Sequence, residues 1–344
     1  MSEKNEIHAC LKLDAPFNLS FMADKDPSNP KSDHGPEDHG KTPSSSDVDL
    51  PRVHKFLSAD LTVRIASVNA TAVVDEMRSI QNSYPIPTVA VGRSMVAALL
   101  MASHLKNSQE LSLYFQGNGP LGRVFAEANF EGQVRGYCSQ PHIQLPLDGG
   151  LRIGSAIGIG LLTVTHHLPG QAEPHRGTVI IRTGEIGDDI AFYLHQSHQI
   201  PSVVALGVQL NEYGLVQAAG GILIELMPGH SEELVAKIEA NVKTAPGISK
   251  RLLEGASPLE LVRDYLGDTP LMELDHPYPT QYHCRCSMER VLRSVMLLGI
   301  EEIDRALVDE KPLDVACEFC GRHYEVGADE LTKLRNDLYK VSLN

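Results

Sequence analysis

Four cysteines near the C-terminus have the types and spacing of a chemical site: Cys284-Arg285-Cys286, thirty intervening residues, then Cys317-Glu318-Phe319-Cys320. Two close thiol pairs brought together by a fold make a tetrahedral four-sulfur cage, the geometry Zn²⁺ prefers. The same pairs can instead close as two local disulfides. Each thiol has a partner two or three positions away, so ring closure is entropically cheap once one thiolate is oxidised. A site that holds zinc when reduced and loses it when oxidised is a switch. On spacing alone a purely structural zinc is the favoured reading, and an oxidoreductase using the CxxC pair ranks well behind. Arg285, His283 and His323 are near enough in sequence to keep the thiolates reactive.

Other candidate motifs carry less. Gly117-Asn118-Gly119-Pro120-Leu121-Gly122 matches GxGxxG, but it lies between two alternating runs with no helix after it, so it reads as a hairpin turn. The glycine cluster from Gly154 to Gly160 lacks the Lys-Ser/Thr end of a phosphate loop. His166-His167 has no HExxH pattern or carboxylate partner in register and reads as a surface pair. Cys138, in QVRGYCS, reads as a half-buried and inert thiol. Cys10 falls in a tail, as do His34 and His39 of two DHG triplets, which read as solvated residues. No nucleophile, base and oxyanion site occur together, so a non-enzymatic protein is expected.

A chain of 344 residues is long enough for two or three domains. Apolar residues make up 42%, with no Trp and only 5% aromatics, so the core must be aliphatic. The formal net charge of −14 argues against nucleic acid and anionic membrane surfaces as partners. No run approaches the roughly 18 apolar residues of a membrane span, and the N-terminus lacks a secretory pattern. A cytoplasmic protein is expected, where these cysteines are thiolates.

Residues 1–52 read as a disordered acidic extension, dominated by Asp, Pro, Ser, Gly and His from Ala23 to Asp47. Residues 53–228 read as an α+β core, strand-rich with helices on one side. Its strands are DLTVRIAS, ELSLYFQ, GRVFAEAN, QVRGYCS, GLLTVTHH, RGTVIIRT and GGILIELMP. Its helices are Thr71–Gln81, a second starting at Val89 with Thr88 as cap after the breakers Pro85 and Pro87, and Ile186–Ser197. Residues 229–281 read as a helical linker, with helices at Ser231–Val242, Ile248–Leu253 and Pro258–Tyr265. These are marginal unless docked on the strand domain. Residues 282–344 read as a small cysteine module: a helix from the Ser287 cap to Leu298, another over Ile300–Val308, a strand HYEV, and a closing helix Asp329–Leu338. Its core is thin, so metal must supply much of its stability.

The order of these features resembles the heat shock protein 33 family of redox-regulated holdase chaperones. The resemblance rests on QGNGPLG after a strand, RGY, GIGLLTVTHH followed by RGTV, YLHQSHQIPS, GGILIELMP and HCRCSMER…CEFCGRHYEV. It runs from about Val53 to the C-terminus, and the first fifty or so residues fall outside it. The resemblance implies a core domain, a metastable helical linker and a C-terminal module binding one Zn²⁺ per chain. Carried over by position, Cys284, Cys286, Cys317 and Cys320 are the zinc ligands of the reduced, inactive form. The resemblance further implies that oxidants convert them to Cys284–Cys286 and Cys317–Cys320 disulfides and expel the metal. The oxidised form is then a homodimer that binds unfolded or oxidatively damaged client proteins without ATP.

The expected function is therefore an oxidation-activated holdase. Cys317 and Cys320 are expected to respond first, because a CxxC disulfide ring is less strained than a CxC ring. The competing expectation is a zinc-ribbon interaction protein without a redox response.

Overall fold

The computed structural model describes residues 52–106, 108–145, 153–171, 173–274, 277–309 and 311–342. The expected disordered extension lies outside the described residues, with Cys10, His34 and His39; only Arg52 of it is described, opening the first strand. The chain divides into two compact units, with the boundary between Tyr282 and His283.

The first unit runs through β1 (Arg52–Ser58), β2 (Val63–Asn69), α1 (Thr71–Gln81), α2 (Pro85–Ala102), β3 (Glu110–Gly117), β4 (Arg123–Asn129) and β5 (Gln133–Cys138). It continues with α3 (Gly154–Ile157), β6 (Gly160–His167), β7 (His175–Ile180), α4 (Gly187–His198), β8 (Ser202–Leu210) and β9 (Val216–Leu226). Then follow α5 (Glu232–Thr244), α6 (Ile248–Leu253), α7 (Pro258–Leu266) and three short strands, β10 (Leu271–Glu273), β11 (Tyr278–Pro279) and β12 (Gln281–Tyr282). One sheet has the order β10-β1-β2-β9-β8, with β11 also on β1; the other has the order β12-β5-β4-β3-β6-β7. All pairs are antiparallel except β12 with β5.

Helix α2 explains how the sheets stack. Its sequence is apolar around its whole circumference, so every face needs cover. It packs against β3, β4 and β5 of one sheet and β2, β8 and β9 of the other. Pro85 and Pro87 do not precede this helix but form its first turn, where the amide they lack has no helical partner. Thr88 is accordingly buried inside the helix and not its cap, and its hydroxyl donates to the Ser83 carbonyl at 3.1 Å. The helix stops at Ala102. With 18 residues at a mean hydropathy of 1.5, it has the length and composition of a membrane span, contrary to the sequence expectation. Since 89% of it is buried inside the protein, it is a core helix.

The α+β architecture follows the sequence pattern, and the structure adds where the helices go. Strand β9 is apolar almost without alternation because both its faces are covered. Ala219 and Leu223 face α2, in the larger core. Ile222, Ile224 and Leu226 face the other way, into a second cluster with Val63 and Ile65 of β2 and Phe56 of β1. That outer face is roofed by α5, α6 and α7 through Ile238, Val242, Ile248, Leu261, Val262, Tyr265 and Leu266. The segment after α7 returns as β10 and β11 on the edge of one sheet and β12 on the edge of the other. Gly132 (φ +79°) permits this last crossing, because a Cβ there would stand 2.3 Å from the Pro279 carbonyl oxygen.

Two smaller readings change or hold. The His166-His167 pair is not a surface pair: His167 is exposed, but His166 turns inward and its Nε2 is sealed from solvent. Cys138 is buried at the end of β5, and burial pushes its thiol up to about 12, which makes it inert as expected.

The second unit contains α8 (Met288–Met296), α9 (Ile300–Val308), the hairpin β13 (Leu313–Ala316) and β14 (His323–Val326), and α10 (Ala328–Ser342). Its fully buried cluster is Val291, Val295, Ile303, Ala306, Val326, Leu331 and Leu334. Tyr282, expected to open the cysteine module, lies in β12 opposite Val134.

Candidate metal centre

Two local structures present the thiols. Cys284 and Cys286 sit on an extended segment that ends where Ser287 caps α8; the Ser287 hydroxyl accepts the Arg290 N–H at 3.3 Å. Cys317 and Cys320 form the tight turn between β13 and β14. There the Cys317 N–H donates to the Arg322 carbonyl at 2.9 Å, and the Gly321 N–H donates to the Cys317 carbonyl at 2.8 Å. Gly321 takes φ +65°, a left-handed conformation that glycine adopts without steric cost. The backbone N–H groups of Phe319 and Cys320 point at the Cys317 sulfur, and that of Arg322 points at the Cys320 sulfur.

The turn and the extended segment bring all four sulfurs within 4.8 Å of one another. Two short approaches run between the motifs: Cys284 Sγ to Cys317 Sγ is 3.7 Å, and Cys286 Sγ to Cys320 Sγ is 3.4 Å. Four thiolates on one tetrahedral zinc, with bonds of about 2.3 Å, stand about 3.8 Å apart. The donor set and its spacing therefore fit a Zn²⁺ ion, and the sulfurs are half-buried, as a closed four-thiolate site requires.

The electrostatics of the four thiols are unequal. Burial opposes ionisation of Cys286, but hydrogen bonds from the Tyr324 hydroxyl (3.1 Å), Cys320, Cys284 and Cys317 outweigh it and bring the thiol down to about 7. Burial, reinforced by the neighbouring thiols, pushes Cys320 up to about 12 and raises Cys317 as well. One thiolate is thus easily formed, and the other protons hydrogen-bond to it. Ring strain and thiol acidity point to different pairs: CxxC closes more easily, while the most acidic thiol belongs to CxC.

Two neighbours of the site escaped the sequence reading. Tyr324 reaches Cys286 directly. Arg322 feels the Tyr324 hydroxyl first and then the charges of Cys286 and Cys320. The alternation of HYEV held the clue, since Tyr324 and Val326 share the inward face of β14. His323, expected near the thiols, hydrogen-bonds instead with the Asp314 carboxylate at 3.0 Å, on the exposed face.

A strand-rich α+β unit with a helical roof continues into a small unit whose four clustered thiols could hold a metal ion, and known proteins share this plan. A family profile described as Hsp33 protein matches residues 51–327. The 33 kDa chaperonin of Desulfotalea psychrophila is 36% identical over 294 residues, covering 82% of this chain and 99% of the relative. That of Trichormus variabilis is 38% identical over 290 residues, covering 83% and 96%. The crystal structure of the 33 kDa chaperonin from Thermotoga maritima superposes with a TM-score of 0.74 at 30% identity, covering 85% of this chain and 99% of that one. The chain belongs to the Hsp33 family, and it is an Hsp33-type chaperone.

Proposed function

We propose that the chain is an ATP-independent holdase, dormant when reduced and zinc-bound, and activated by oxidation of Cys284, Cys286, Cys317 and Cys320. The observation that carries this reading is the convergence of four sulfurs within 4.8 Å in a unit with so small a core. When bound, zinc supplies folding energy to that unit. Each pair, Cys284 with Cys286 and Cys317 with Cys320, gives up two electrons as its sulfur–sulfur bond forms. One peroxide per pair accepts them with two protons and leaves as two waters. Each disulfide lies within one motif, and two sulfurs tied to each other no longer serve as two thiolate ligands of one ion.

The consequence for the first unit runs through the chain itself. Cys284 follows β12 by two residues, and β12, β11 and β10 are short strands at sheet edges. We infer that loss of order beyond His283 loosens these strands, which continue the chain from the roof formed by α5, α6 and α7. Lifting that roof uncovers Phe56, Val63, Ile65, Ile222 and Ile224, a contiguous apolar stripe on which an unfolding client can be held. This reading carries with it a homodimer of the oxidised form, a cytoplasmic setting, and neither nucleic acid nor membrane as partner, in keeping with the charge of −14.

The test is light scattering of a chemically unfolded client diluted into the protein, with zinc release followed in parallel. Suppression of aggregation only after peroxide or hypochlorite treatment, together with loss of about one zinc per chain, is the expected result. Equal behaviour of both forms, with zinc retained, returns the cysteines to a structural site.

A further inference from the structure

A second group of metal-ligating side chains lies in the first unit, away from the cysteines. His166 on β6 and His175 on β7 are direct cross-strand partners, so their side chains leave the same face of the sheet with Cβ atoms about 5 Å apart. Helix α4 comes down on that face. Gly177, two residues beyond His175, lets it approach, since a Cβ there would stand 2.8 Å from the Tyr193 ring. The last turn of α4 then places the His198 ring 6.0 Å from the His166 ring, centroid to centroid. The Tyr193 hydroxyl lies 3.1 Å from His198 Nε2, beside the cluster. Nε2 of His166 is buried and meets no hydrogen-bond partner among the described residues. An unpaired polar atom in that position is costly unless something binds it.

We propose that His166, His175 and His198 form a site for a second divalent cation of borderline softness, the class to which Zn²⁺, Ni²⁺ and Cu²⁺ belong. Imidazole nitrogens suit these ions, and His166 Nε2 is the donor the fold leaves open. Two imidazoles on one tetrahedral ion, with metal–nitrogen bonds of about 2.0–2.1 Å, stand with centroids roughly 5 Å apart. His175 and His198 must turn toward His166 Nε2 to close the 6.0 Å spacing of the His166 and His198 rings. His175 and His198 are exposed, so an ion has access and the rings have room to turn. Burial, and then the charges of His198, His175 and His167, lowers the pKa of His166, which keeps that ring neutral and able to ligate. Nothing in this donor set is consumed when thiols are oxidised to disulfides, so the site persists in both redox states.

The experiment titrates Ni²⁺ into the full-length reduced protein already holding one equivalent of zinc, by isothermal titration calorimetry with absorption spectra in parallel. The expected result is one further equivalent bound without sulfur-to-nickel absorption. His175→Ala and His198→Ala should each weaken it by more than about tenfold, and His34→Ala/His39→Ala should leave it unchanged. Both core substitutions are at exposed positions, and an unchanged thermal midpoint in the absence of metal verifies the fold. Binding that survives both core substitutions, that vanishes with His34 and His39, or that appears with thiolate absorption overturns the proposal. The outcome is independent of whether oxidation activates the chaperone.

Discussion

The two units solve the problem of stability by different means. The first encloses an aliphatic core around α2, covered by sheet on two sides, and adds a second apolar layer beneath α5, α6 and α7. The second has seven buried apolar residues among those described, four of them alanine or valine, and gathers four thiols beside them. A single core in a domain below about 70 residues rarely supplies more than about 3–5 kcal/mol. On the proposed reading the first unit keeps its fold through a change in metal or redox state, whereas the second depends on its cysteines. Such a contrast is what a switch needs: a part that fails readily, attached to a part that does not.

Metal removal tests the contrast most severely. A structural zinc contributes about 10–16 kcal/mol at neutral pH in small modules. A strong chelator, or Cys317→Ser, should abolish amide protection throughout 283–342 in hydrogen-exchange mass spectrometry. Protection of α2, β2 and β9 should persist. Retained protection of α8, α9 and α10 without metal would mean that the small core suffices.

The same cavity placed in each unit sharpens the comparison. Leu99 and Ile303 are both fully buried, and truncating either to Ala costs about 2–5 kcal/mol. Leu99→Ala should lower the thermal midpoint of the first unit and leave it folded. Ile303→Ala should exceed what the metal-free second unit can lose, so the deficit appears as weaker metal binding. Competition with a chromophoric chelator should show a loss of roughly 30-fold or more, at about 1.4 kcal/mol per tenfold. Equal zinc affinity in the two variants would break the argument.

What could be seen in the sequence follows from how locally each feature is determined. Helices α1, α6 and α9 have their expected bounds, because periodic apolar residues sit between clear punctuation. The four thiols were legible because metal ligation demands their spacing. Strand β1 escaped because Val53 and Phe56, three residues apart, face opposite cores, which erases the two-residue alternation. Strands β10, β11 and β12 exist through partners more than a hundred residues away and have no local signature. Pro85 and Pro87 read as helix breakers by residue type, although proline ends a helix only from its interior. At the site, spacing located the sulfurs but not their mutual approach. That approach crosses the motifs and depends on the hairpin β13–β14 meeting the segment before α8. His166 was misread because a β6 position next to an exposed histidine gives no sign of the α4 residues that close over it.

The smallest effect concerns the roof between these extremes. Helix α7 has nine residues, too few to persist undocked. It begins with a complete capping box: the Ser257 hydroxyl accepts the Glu260 N–H at 3.3 Å, and the Glu260 carboxylate accepts the Ser257 N–H at 2.7 Å. Ser257→Ala removes one arm and costs about 0.5–2 kcal/mol. Leu261, Val262, Tyr265 and Leu266 remain available to dock, so the helix should still form. If the roof opens as a local unit, the loss falls on α7 alone. Exchange of its amides should then quicken roughly 2- to 30-fold while β2 and β9 beneath it are unchanged. The variant should also reach half-maximal client protection at a lower oxidant dose. Equal quickening in α7 and in the strands would mean that roof and sheet open together. Client binding would then require unfolding of the first unit, and the division between a stable part and a yielding part would lie elsewhere than at α5, α6 and α7.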